Sequence, residues 1–226
     1  MTIQLDEVVL DETNLRVRDM RMLEGGRMRR RVRLQGVLTD AVHRDAIEAM
    51  LDEGAAAAGE WAGWRALKIR PGRRLWVRPE RFEREVGLDG QTGAFDLVVE
   101  SRELTEEAVE PTTYGWDIAD SHASLAIEND GTAPAPVALA YTPTEATTRP
   151  GFSIGARTLV YDGVVEAGQT LELDDHTGQV TLDGNNITPD CEGLPPRVGP
   201  GVREMIFTAE AGGSGTAEVI FHARWW

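Results

Sequence analysis

The sequence predicts a mainly β protein of two parts, and three observations carry that prediction. Apolar residues recur with a period of two in short runs, and glycine or proline separates most of the runs. Only one stretch, near residues 40–59, spaces its apolar residues as a helix does. Charge then divides the 226-residue chain sharply. Residues 1–105 hold 18 of the 23 basic and 19 of the 38 acidic residues, a net of −1, whereas residues 106–226 have a net of −14. Halves that differ so much predict two domains, 1–105 and 106–226, facing different surroundings.

Composition sets the outer limits. A hydrophobic fraction of 41% is too high for a disordered chain, and the length suits one large domain or two small ones. Cys191 is the only cysteine, which excludes an internal disulfide and a cysteine-rich zinc site. No run approaches ~18 consecutive apolar residues, so no membrane insertion is expected. The acidic start, Met1 to Glu12, lacks the basic and apolar regions of a secretory signal.

In chain order, Arg16 to Leu23 and Arg27 to Leu34 predict a hairpin around Glu24-Gly25-Gly26. Alternation puts Arg27, Arg29, Arg31 and Arg33 on one face, and Met28, Val32 and Leu34 on the other with Arg30. The basic face suits nucleic acid or an acidic protein surface; equally, it suits a solvated face paired with acidic neighbours. No aromatic residues are interleaved, which argues against specific single-strand binding. Thr39-Asp40 can cap a helix running to Gly54 or Gly59, with Val42, Ala46, Ile47, Met50 and Leu51 inward. Strands are expected over Arg65 to Arg70, Leu75 to Phe82 and Ala94 to Glu100. Residues 103–113, acidic and aperiodic, read as a linker.

The second half predicts an antiparallel sandwich of short strands. They are His122 to Asn129, Val137 to Tyr141, Arg157 to Tyr161, Thr170 to Leu173, Gln179 to Leu182, Glu204 to Ala209 and Thr216 to Ala223. Glycine-bearing turns separate them, and Pro134, Pro136, Pro195 and Pro196 oppose long helices.

Catalytic motifs fail on context. Gly151-Phe-Ser153-Ile-Gly155 matches a nucleophile elbow, but Pro150 precedes it and no helical pattern follows. His43, His122, His176 and His222 form no ligand pair, and Asp174-Asp175-His176 reads as a solvated turn. The Gly212 to Thr216 loop lacks the lysine of a phosphate cradle. No enzyme activity, cofactor or metal is expected.

Three stretches resemble the distal tail proteins of long-tailed bacteriophages and related minor tail proteins. They are Leu75 to Val86 with Thr92 to Arg102, then Asn129-Asp-Gly-Thr-Ala-Pro-Ala-Pro-Val137, and then Gly168 to Gly184 with Gly199 to Val202 and Phe221 to Trp226. The resemblance implies an N-terminal split β-barrel with one helix, similar to tail tube proteins, and a galectin-like C-terminal β-sandwich. It also implies a homo-oligomeric ring of six copies joining the tail tube protein to the tail hub protein, or baseplate, in the virion tail. Assembly would take place in the host cytoplasm, with DNA only as passing cargo. The outer sandwich docks receptor-binding or side-fibre proteins in part of the family. In such a ring the stripe Arg27, Arg29, Arg31 and Arg33 becomes a candidate assembly interface, because a strongly basic bore would hold DNA back. The alternative is a carbohydrate-binding module of a virion or cell-surface adhesion apparatus. Its stacking residues would come from Tyr114, Trp116, Tyr141, Phe152 and Tyr161.

Overall fold

A computed structural model of the chain describes residues 3–6, 8–10, 15–38, 64–86 and 93–226. The helix expected over 39–59 lies outside the described residues. The chain divides into two compact units, Met1–Val109 and Glu110–Trp225.

The first unit is an antiparallel sheet. Its strands are β1 (Ile3–Leu5), β2 (Val8–Leu10), β3 (Arg16–Glu24), β4 (Arg27–Leu38), β5 (Arg65–Lys68), β6 (Arg73–Val86), β7 (Gly93–Ser101) and β8 (Glu106–Ala108). They run in the order β2-β1-β5-β6-β7-β4-β3, with β8 paired to the start of β6. Alternation explains which side is buried: Val32 and Leu34 of β4 register with Val99 and Leu97 of β7, and all four are buried. Leu5, Leu67, Leu75 and Val77 extend the same core. At ~25 cal/mol per Å² of apolar surface, burial of these side chains supplies most of the favourable free energy here.

Among the described residues, strand β3 lies at one end of the strand order and pairs only with β4. The β3–β4 ladder runs from Arg16↔Gln35 out to Glu24↔Arg27, whereas the β4–β7 ladder starts only at Arg31↔Glu100. The outer part of the hairpin is therefore a two-stranded ribbon extending past β7. Gly25 and Gly26 turn it, at φ +58° and +80°, a region that disfavours side chains with a Cβ.

The second unit begins with β9 (Thr112–Ile118) and β10 (His122–Asn129), and it is a sandwich. Next come β11 (Ala135–Pro136), β12 (Ala138–Pro143), β13 (Thr147–Thr148), β14 (Gly151–Ile154), β15 (Arg157–Tyr161) and β16 (Val164–Val165). Then follow β17 (Leu171–Leu173), β18 (Val180–Leu182), β19 (Asn185–Asn186), β20 (Cys191–Gly193), β21 (Arg197–Val198), β22 (Gly201–Thr208) and β23 (Gly215–Phe221). One sheet has the order β10-β22-β14-β15-β20 and the other β19-β18-β17-β12-β23-β9, while β11 pairs β21 and β13 pairs β16.

Between the two sheets lies an aromatic cluster. Tyr141 and Phe152 each lie within 5.1–5.2 Å of the Phe207 ring centroid, and Trp116 meets both phenylalanines edge-on. The Tyr141 hydroxyl would be costly unpaired in that core, and it shares a 3.0 Å hydrogen bond with buried Thr147. Asn129, 1% exposed, explains the Asn-Asp-Gly stretch. Its Nδ2 donates to the carbonyls of Ala133 and Val198, and its Oδ1 accepts from Gly131 N.

Segment 103–113 differs from its reading as a linker. Its middle forms β8, and Glu106 and Glu107 are 3% and 4% exposed. An acidic run signals solvent only while its carboxylates lack partners, and here arginines supply them.

Candidate assembly face

Register places Arg27, Arg29, Arg31 and Arg33 of β4 on the sheet face opposite the core. Arg16, Arg18, Met20, Met22 and Glu24 of β3 share that face, as do Asp96, Val98 and Glu100 of β7. Three of the four arginines are neutralised within their own sheet. Arg29 Nη1 reaches Glu100 at 2.6 Å, and Arg78 from β6 approaches the same carboxylate at 2.9 Å. Arg31 pairs with Glu80 at 2.6 Å and Glu24 at 3.2 Å. Arg33 forms a two-nitrogen clamp on Asp96, which also accepts from Gln35. The Arg33 hydrogen bond holds the Asp96 carboxyl below its usual range, outweighing the opposing effect of burial. For Glu100, burial works to raise the value, and Arg78 and Arg29 outweigh it.

Among the described residues, Arg27 has no ion pair, and neither do Arg16, Arg18 or Arg21 of β3. The uncompensated positive charge thus sits on the edge strand and the turn rather than along the centre of the stripe.

A second cluster lies on the core side, and the sequence reading missed it. Arg30, 1% exposed, donates to both oxygens of Asp19 at 3.0 and 2.6 Å, to the Leu104 carbonyl at 2.9 Å and to Glu106 Oε1 at 2.9 Å. Burial works against its charge, but Asp19 and Glu106 outweigh it and hold the guanidinium above its ordinary value. Arg70 reaches the same Glu106 oxygen at 2.5 Å. Glu106 Oε2 is buried and accepts no hydrogen bond from the described residues. Alongside, Glu107 Oε1 accepts from Arg74 and from the Trp76 indole, with the Arg74 guanidinium 4.6 Å from that ring's centroid. The available signal was Arg30 itself, an arginine at an inward position between Met28 and Val32.

The other motifs resolve as structure. Ser153 lies within β14, registered with Thr158 and Ile206, rather than on a strand-to-helix elbow. Asp174 accepts hydrogen bonds from His176 N, Thr177 N and Thr177 Oγ1, so it builds a turn. No group of three or more His, Cys, Asp or Glu suited to a metal ion occurs among the described residues. Of the aromatics considered for sugar stacking, Trp116, Tyr141 and Phe152 are buried in the core. Tyr114 stacks on Phe221 and receives a hydrogen bond from Glu128 N. Trp116, Tyr141 and Phe152 therefore cannot stack on a sugar, whereas Tyr114 and Tyr161 are half-buried.

No family model matches the sequence, and no curated protein matches it. Among solved structures the chain is similar to phage SPP1 Dit, described as a paradigm of hub adsorption apparatus in Gram-positive infecting phages. The TM-score is 0.67 at 13% identity, and the match covers 100% of this chain and 99% of that one. From end to end, the chain has the fold of a phage distal tail protein.

Proposed function

We propose that the chain is a structural virion protein without catalytic activity. It forms a ring of six copies in a phage tail and joins the tail tube above to the tail hub below. The observation that carries this reading is the structural likeness to SPP1 Dit over both units. An edge strand such as β3 supports it, because an unpaired strand edge gains its missing partner in an assembly. Heterologous contacts that close make a ring in which every copy uses the same two surfaces. Arg27, Arg29, Arg31 and Arg33 line this interface, with Arg16 and Arg18 adding charge that the described residues do not balance. The acidic sandwich faces outward and docks receptor-binding or side-fibre proteins.

Electron microscopy of the purified protein, alone and mixed with its tube protein, tests the proposal. Six-fold rings that cap the tube are expected. A monomer at high concentration that leaves the tube unchanged would overturn it.

A further inference from the structure

We propose that β10 pairs with β10 of a second copy, so that one sheet of the sandwich runs on into the same sheet of its neighbour. The contact goes beyond the ring and uses a different edge.

The backbone of β10 fixes which of its groups are open. Ala209 N donates to Ser121 O at 3.0 Å, so Ser121 and the odd-numbered residues after it exchange hydrogen bonds with β22. The even-numbered residues point their N–H and C=O groups away from β22, and no other described strand takes them. Two of these positions are closed within the chain. His122 N donates to Asp120 Oδ1 at 2.9 Å, and Glu128 N donates to the Tyr114 hydroxyl at 3.0 Å. Ser124 and Ala126, between the two closures, are exposed, and among the described residues nothing bonds their four backbone groups.

Strand β10 also lacks the devices that keep an edge strand single. Its eight residues hold no proline, lysine or arginine, and its register with β22 runs from His122 to Asn129 without a bulge. At the far ends of the two sheets stand β20 and β19, of three and two residues, which are too short to offer the same template.

The hydrogen-bond pattern identifies the occupant. Two open residues flanking Leu125 are complementary to themselves: in an antiparallel pair about a two-fold axis through Leu125, Ser124 of each copy meets Ala126 of the other. Those two pairs use all four open groups on both copies and leave none over. Sliding the register either way sets an open residue against His122 or Glu128, whose N–H is already taken. Small side chains meet on the outer face, while Leu125, half-buried against the sandwich core, meets its own copy on the inner face. The same register sets His122 opposite Glu128 at both ends, and neither has an ion pair among the described residues. Asp120 and Asp130 face each other beyond the ends of the pair, so added salt tightens the contact. Because both copies use the same patch, the contact saturates at two.

Full chains carrying Cys191→Ser with either Leu125→Cys or Ala123→Cys test the pairing. Across the two-fold axis the Leu125→Cys positions have Cα atoms about 4.5 Å apart, within disulfide reach. The Ala123→Cys positions are about 14 Å apart, since each faces position 127 of the other copy. On oxidation the Leu125→Cys dimer should form at least tenfold faster; equal rates would overturn the inference. Ala126→Pro removes an N–H that β22 does not use, so the ladder survives and the excess should vanish; an excess that persists overturns the inference too. Sedimentation of chains that keep Leu125 gives a second reading. The parent should double in mass on concentration, from monomer or ring alike, and Ala126→Pro should stop the doubling. His122→Glu should weaken it at least threefold, and Glu128→Lys on the same chain should restore it; a parent that never doubles, or a pair of changes that does not restore, sinks the proposal. Six-fold rings that never double remove the strand pairing and leave the ring, and doubling without six-fold rings does the reverse.

Discussion

Arg30→Met is the substitution whose cost can be worked most directly from the geometry. It removes the guanidinium but keeps an unbranched side chain. Three partners are then left: Asp19, the Leu104 carbonyl and Glu106. The Asp19 side chain is 33% exposed and can turn to water, but that of Glu106 is 4% exposed and cannot. Breaking a buried ion pair from one side costs about 3–5 kcal/mol, because the surviving charge stays desolvated. The lower end applies here, about 3 kcal/mol, since Arg70 still contacts Glu106. Urea unfolding of the full chain, read by hydrogen exchange in β3, β4 and β7, isolates the first unit. With m near 1–3 kcal/mol/M, the midpoint should fall by about 1–3 M. Arg30→Met combined with Glu106→Leu should return to within about 1 kcal/mol of the parent, because no charge is then left stranded. A single variant within about 0.5 kcal/mol of the parent, or a double variant worse than the single, would refute the reasoning.

Asp96→Asn should show its cost only where Asp96 is ionised. Arg33 holds the carboxyl low, so its stabilisation is complete above about pH 3.9 and is lost as pH falls through the folded value. The urea midpoints of variant and parent should differ at pH 7 and draw together as the pH falls below the ordinary carboxylate range; a pH-independent gap would contradict the pairing. Gly193→Ala should destabilise the sandwich by about 2–4 kcal/mol, because φ is +89° and a Cβ would sit 2.0 Å from the Thr158 carbonyl. Gly184→Ala, at φ +79° with nothing within 4 Å, should cost only about 1 kcal/mol; equal losses in thermal unfolding would refute the distinction. Glu80→Gln, Asp96→Asn and Glu100→Gln together should unmask Arg29, Arg31 and Arg33 for duplex DNA. The salt dependence of binding should steepen by up to about 2.7 log units per log salt, and an unchanged slope would show that the arginines were never neutralised.

Local signals made the hairpins and the isolated strands legible. β10 and β15 begin and end where alternation and turn residues put them, and Gly25-Gly26 marks the ribbon turn. Strands β9 and β14 were not legible, because Thr112–Ile118 and Gly151–Ile154 carry glycine within or at the start of short runs. They are strands because β23 and β22 supply their ladders from far along the chain. The arginine stripe follows the same division. The pleat shows which arginines share a face, but the partner of Arg29 stands 71 residues away in sequence and that of Arg31 stands 49 away. Sequence alone could not decide between a free basic face and a neutralised one.

Arg30 carries this distinction furthest. Stability alone would favour an apolar side chain at an inward position, since replacing a buried ion pair with packed apolar residues is often neutral or better. The charged cluster does something an apolar contact does less well: it fixes direction. Arg30 sits where the β4–β7 ladder ends, and among the described residues the ribbon beyond it is paired only within its own two strands. Its guanidinium ties that point to Asp19 across the ribbon and to Leu104 and Glu106 beneath it. The cluster therefore sets the angle at which Leu23 and Met28 leave the sheet. The Arg30→Met, Glu106→Leu protein separates the two roles, because its stability should return while its ribbon loses the anchor. In that background hydrogen exchange at the β3–β4 ribbon amides beyond Arg30 should rise at least tenfold while exchange in β7 stays at the parent rate; an unchanged ribbon rate would reduce the cluster to a stability element.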